Sequence, residues 1–127
     1  MNLLVDSDVL IDWLRDMPWA RVLFLDTRVR LYCSNVSGKE LLSMRGLKSS
    51  ERQKIRRLLK TLRVIHVDST IATAAAELMQ KYKQQSLQVD DALIAATAWV
   101  KRLPLLTRNR KHYDFIEEIQ LSDVLLE

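Results

Sequence analysis

Carboxylates recur beside the apolar runs of this sequence. Asp6, Asp8 and Asp12 lie within MNLLVDSDVLIDWL, Glu40 within VSGKELLSM and Asp91 at the head of the Ala-rich DALIAATA, while Thr107 and Asn109 follow LPLLT. Acidic side chains are seldom fully buried unless something pairs with them, because an ionised carboxylate taken out of water costs several kcal/mol or takes up a proton. If Asp6, Glu40 and Asp91 meet at one edge of a sheet, each pair at 4 Å repels by about 4 kcal/mol at an effective dielectric of 20. A divalent cation removes that conflict, and oxygen ligands without a His or Cys cluster favour Mg²⁺ or Mn²⁺ over Zn²⁺. The chemistry open to such a centre is phosphodiester hydrolysis, with the carboxylates holding geometry rather than attacking. Taken singly, each acid has a plainer reading. Asp8 and Asp12 fit exposed helix positions, Asp6 or Ser7 a helix cap, Glu40 a surface carboxylate, and Asp90 or Asp91 a cap on the next helix.

The elements that must position these residues are legible as alternating periods. Apolar runs of strand length, NLLVD near residue 2, RLYCS near 30, RVIHVD near 63 and LPLLT near 103, alternate with longer segments of helical period. That alternation predicts an α/β fold with a central parallel sheet and helices on both faces, where the active crevice lies beyond the carboxyl ends of the strands. The clearest helix is ERQKIRRLLKTL, with Ile55, Leu58, Leu59 and Leu62 on one stripe. A second is expected near residues 70–84 after a Ser69 cap, and a third through DALIAATAWVKR, stopping before Pro104. The close spacing of Ala92, Ala95, Ala96 and Ala98 suits tight packing on the sheet.

Composition narrows the classes further. The 127 residues are 48% hydrophobic and 28% charged with two Gly and two Pro, which predicts one folded domain over 1–127 rather than a disordered chain. No apolar stretch approaches the roughly 18 residues of a membrane span, and the N-terminus reaches an Asp too early for a signal peptide. The lone cysteine, Cys33, cannot form an internal disulfide; it reads as a small core residue in a reducing, cytoplasmic setting. A net charge of +4 permits a polyanionic partner without requiring one.

In order and separation, LLVDSDVLID, the Glu40 of GKELL, DDALIAATA and LLTRNRKHYDFI resemble the PIN-domain nucleases, especially the VapC-type toxins of toxin–antitoxin pairs. DALIAATA followed about ten residues later by LLTRN is the specific part, and the similarity spans nearly the whole chain. The resemblance implies a three-layer α/β/α domain and a Mg²⁺- or Mn²⁺-dependent endoribonuclease acting on RNA, paired with a small antitoxin and often a homodimer. It assigns Asp6, Glu40 and Asp91 as catalytic metal ligands, with Asp90 a neighbour. The family often has a fourth acid after the last core strand, where this chain has Asn109, with Asp114 five residues on. A neutral amide there weakens a second metal site. Ser7 and Thr107 match small hydroxyl residues that accompany the family's acids, able to hold a water or a phosphate oxygen, and serve equally as cap and turn residues.

Residues 45–63 hold eight Lys or Arg and one acid, Glu51, and Arg52, Arg56 and Lys60 fall at i+4 steps. Such a stripe is either a solvated face or a set of phosphate contacts that steers RNA without reading its sequence. Arg108, Arg110 and Lys111 lie nearer the expected metal. His66 reads as structural, and His112 as a phosphate contact beside the site. Trp13, Trp19 and Trp99 suit core or dimer positions better than base-stacking platforms.

Two other readings compete. Asp6-Ser7-Asp8 fits the start of the DxD motif of haloacid-dehalogenase-like phosphatases, with Asp6 as nucleophile and Asp8 as general acid. Leu10 stands where that family wants Thr or Val, no Lys motif follows, and DALIAATA is left unexplained. The other is a catalytically silent PIN-like module that binds RNA or a protein partner, a reading that Asn109 supports.

Overall fold

The computed structural model describes residues 1–123. Its four strands, β1 (Asn2–Val5), β2 (Arg30–Ser34), β3 (Arg63–Ile65) and β4 (Leu105–Leu106), form a sheet in the order β3-β2-β1-β4. Every pairing is parallel, with Leu4 beside both Tyr32 and Leu105, and Cys33 beside Val64. All four strand segments expected from the sequence are present. Strand β3 ends at Ile65, so His66 lies beyond it, exposed, and has no structural role in the strand.

Alternation along β1 explains the layering. Leu3 and Val5 point into one core with Cys33 and Leu106, and Leu4 points into the other with Leu105. The first core is closed by α1 (Ser7–Leu14), α2 (Pro18–Leu25), α3 (Asn35–Leu42) and α4 (Ser49–Thr61), and the second by α5 (Ser69–Lys81) and α6 (Val89–Lys101). The result is the expected α/β/α arrangement. In α4, Ile55 and Leu58 are buried, and each such side chain gains roughly 1.5–3 kcal/mol from leaving water. The opposite face carries Arg56, Arg57 and Lys60, all exposed. The small residues of α6, Ala92, Ala95, Ala96 and Ala98, are buried in the same core as Ala74 and Ala75 of α5, as the Ala spacing predicts. Cys33 is buried, and burial pushes its thiol up to about 11, so it is the inert core residue expected.

Several boundaries differ from the sequence reading for local reasons. The cap of α5 is Asp68, whose carboxylate accepts from the Ile71 amide; Ser69 is already helical. That helix ends at Lys81, and a short 3₁₀ turn, Lys83–Gln85, finishes in left-handed Ser86. Gln88 stands at the N-cap of α6, leaving Asp90 and Asp91 in its first turn, where they complement the helix dipole rather than cap it. Among the described residues no helix is long and apolar enough to cross a membrane.

Candidate active site

Strand β1 lies at the topological switch point: the chain leaves it through α1 and α2 to β2 on one side, and β4 returns on the other. Asp6, the first residue beyond β1, keeps extended backbone angles and caps α1, its Oδ1 accepting from the Ser7 amide at 2.7 Å. The plain capping role and the site role therefore fall on one residue. From the end of β4, Thr107 donates its hydroxyl to Asp6 Oδ2 at 2.9 Å, tying the two strand ends across the switch point. Asp6 is 6% exposed, and burial first, then the charge of Asp8, raises its carboxyl to about 6 against the opposing donors.

Glu40 comes from α3, the helix that follows β2. Its Oε2 accepts from the Ser7 hydroxyl at 3.2 Å. Partial burial raises its pKa, and the charges of Asp90, Asp6 and Asp91 add to that. Asp91, from the first turn of α6, accepts from the Tyr113 hydroxyl at 3.1 Å through Oδ1 and faces His112 Nδ1 at 3.2 Å through Oδ2. The three acids expected at one edge thus share one field, each turned toward a hydroxyl: Thr107 for Asp6, Ser7 for Glu40, Tyr113 for Asp91. Ser7 and Thr107, expected to hold water or phosphate, hold the carboxylates themselves. Asp90 is exposed and acts on Glu40 through its charge.

The donor chemistry suits a hard divalent ion: oxygen ligands, mutual repulsion, and a buried Asp8 Oδ1 with no hydrogen-bond partner beside them. Among the described residues no three acids, histidines or cysteines are gathered into a ready ligand cage. Carboxylate and hydroxyl oxygens of this kind would leave room for water on such an ion, the manner in which Mg²⁺ is commonly bound.

Asp12 is the residue that sequence reasoning placed worst. Far from being an exposed helix position, it is 4% exposed and bound at both oxygens. Arg108 Nε approaches Oδ2 at 2.7 Å and Nη2 reaches Oδ1 at 3.0 Å, while the Trp19 indole donates to Oδ2 at 3.0 Å. Asp8, one turn earlier, accepts the Arg108 amide at 2.8 Å. The two acids form a clamp on the loop after β4, and the i, i+4 spacing of Asp8 and Asp12 on one helix face was the available signal.

The cations divide. Arg108 is occupied by Asp12, Arg110 donates to the Ser122 carbonyl and meets Asp123 at 3.3 Å, and Arg52 caps the Leu42 carbonyl at the end of α3. Arg56 and Lys60 are exposed, as is Lys111, which lines a groove of about 230 Å³ together with Asp91, His112 and Gln88. Asn109 is exposed, its amide donating to Thr107, and Asp114 is exposed beyond it. Trp13 stacks on Phe24 at 5.5 Å, Trp19 binds Asp12, and Trp99 is half-buried against the α5/α6 core, so all three serve packing. Tyr113, which sequence reasoning passed over, is fully buried; its only sequence signal was an aromatic residue closing the polar run RNRKH.

The family model described as PIN domain matches residues 3–117. Ribonuclease VapC10 of Mycobacterium tuberculosis is 38% identical over 93% of this chain and 90% of its own length. A toxin-antitoxin complex from Klebsiella pneumoniae contains a chain 29% identical, with a TM-score of 0.73 over 92% of this chain and 94% of that one. VapBC-1 from nontypeable Haemophilus influenzae, 24% identical, shares the fold with a TM-score of 0.80 over 97% of this chain and 98% of that one.

Proposed function

The chain belongs to the PIN-domain family, among its VapC-type ribonucleases, and from that premise we propose that it cleaves RNA with Mg²⁺ or Mn²⁺ held by Asp6, Glu40 and Asp91. The observation that carries this reading is the convergence of acids from the end of β1, α3 and α6 on one strand-end edge, where burial and the charges of Asp90, Asp6 and Asp91 raise the pKa of Glu40. Asn109, at the position of a fourth ligand, adds a neutral oxygen at most. The ion supplies positive charge to the phosphoryl oxygens and makes an attacking water more acidic. Thr107 and Ser7 keep Asp6 and Glu40 oriented, and the exclusion of water around Asp6 strengthens its pull on a cation. Lys111 beside Asp91 and the exposed Arg56 and Lys60 of α4 offer contacts for RNA phosphates; Arg52, Arg108 and Arg110 are committed within the protein and serve the fold first.

The haloacid-dehalogenase alternative finds no support in the relatives matched. The rest of the reading is a toxin acting in the cytoplasm, working as a homodimer and silenced by a small antitoxin that covers the acidic edge. The toxin–antitoxin complex of the Klebsiella relative supports the partner. Purified protein should cleave RNA to 5′-phosphate ends only with Mg²⁺ or Mn²⁺, and Asp6→Ala, Glu40→Ala and Asp91→Ala should each abolish cleavage with the fold intact. Full activity in chelator ends the metal assignment. Expression alone should slow growth, and co-expression of the neighbouring small gene should restore it; a protein that binds metal and RNA but leaves RNA uncut is the silent module.

A further inference from the structure

We infer that Tyr113 is a positioning residue that fixes the Asp91 carboxylate for cation binding, a role that rests on the metal-dependent reading above. The ring is fully buried in the α5/α6 core, yet its hydroxyl emerges at the acidic edge and donates to Asp91 Oδ1 at 3.1 Å. A short 3₁₀ turn, Arg110–His112, delivers it, and the turn is itself anchored: the Tyr113 amide donates to the Arg110 carbonyl, and Arg110 is bound to the Ser122 carbonyl. The hydroxyl therefore has little freedom to follow a moving carboxylate.

The two oxygens of Asp91 meet different neighbours. Oδ1 accepts from the hydroxyl of a fully buried ring. Oδ2 faces His112, whose side chain is 58% exposed to water. The permanent partner holds the carboxylate plane; the exchangeable one leaves Oδ2 to a cation. Outer hydrogen bonds of this kind typically change metal affinity by about 10- to 100-fold when removed.

The test is Mn²⁺ affinity, read by the signal of free Mn²⁺ in electron paramagnetic resonance, with circular dichroism to check the fold. Tyr113→Phe keeps the ring and removes the donor, and should weaken Mn²⁺ binding about tenfold or more. Wild-type affinity in Tyr113→Phe makes the residue mere packing and overturns the inference. A second measurement needs no variant: in protein labelled at tyrosine Cζ, Mg²⁺ should shift the Tyr113 resonance, and an unmoved resonance counts equally against the role. If the wild type binds no Mn²⁺ at all, the metal-dependent reading fails and takes this inference with it.

Discussion

A carboxylate that is 6% exposed and raised to about 6 is a cost the fold bears for a purpose other than stability. The sign follows from proton binding. Because the native pKa lies above the unfolded value of 3.8, the native state holds the extra proton between these values, and the associated stability is full below about pH 4 and lost as pH rises through about 6. For Asp6 alone the loss amounts to about 3 kcal/mol at most. Without divalent ions, wild-type melting temperature should therefore fall between pH 4 and 7, and Asp6→Asn should flatten that dependence and melt several degrees higher at pH 7.5, since Asn caps α1 as well as Asp does. Cleavage by the same variant should drop at least a hundredfold. Asp8 is different in kind: an Asn there still accepts the Arg108 amide through its side-chain oxygen, and the charge it removes is one that opposes ionisation of Asp6. Asp8→Asn should keep RNA cleavage within roughly tenfold of wild type, about 1.4 kcal/mol in barrier, in single-turnover assays. A dead Asp8→Asn variant assigns that residue a proton-transfer role and reopens the phosphatase chemistry.

At the scale of elements, α1 clamps the start of the loop after β4. Asp12 and Arg108 are ninety-six residues apart, and their bidentate pair with the Trp19 indole joins α1, the start of α2 and the loop. Removing one member of a buried pair leaves the other uncompensated, which costs about 3–5 kcal/mol for fully buried ions. Arg108 is half exposed, so Asp12→Ala should cost nearer about 2 kcal/mol by urea denaturation. The double variant Asp12→Ala/Arg108→Ala should cost less than the two single changes added together, and strict additivity would show that no clamp exists. This pair also shows where sequence reasoning stops. The four strands, the α4 stripe and the helix of small residues were legible because each is written in a local period, and Asp6 and Asp91 because they adjoin such periods. Asp12, Arg108 and Tyr113 were not, because their burial and partners are set by tertiary approach across the sheet. Charge and nearness to the expected metal point to Arg108 and Arg110 as RNA contacts, while their side chains are spent on Asp12 and on the Ser122 carbonyl.

The whole molecule presents two opposed fields. The acids at the strand ends repel a phosphate backbone, whereas the exposed face of α4 attracts one, and α4 packs against α3, the helix that carries Glu40. Gly38 marks that contact: a Cβ there would lie 3.2 Å from Leu59 Cδ1. The basic stripe is thus mechanically joined to one of the proposed metal ligands, close enough to hold RNA in the proposed reaction. If Arg56 and Lys60 each neutralise a phosphate, replacing both should reduce the slope of log K against log salt by about 1.4 for single-stranded RNA, and weaken binding evenly across sequences. The measurement is made in the Asp6→Asn background, so that substrate survives, by fluorescence anisotropy between low and moderate salt. An unchanged slope would return Arg56 and Lys60 to the status of a solvated helix face and move the search for the RNA surface to the groove beside Lys111 and Asp91. A reduced slope with the cleavage rate at saturating RNA unaltered, tested in the wild-type background, would mean that the stripe captures substrate and the edge alone cuts it. Long-range charge raises encounter and affinity, whereas catalysis needs charge that is stronger in the transition state than in the bound substrate.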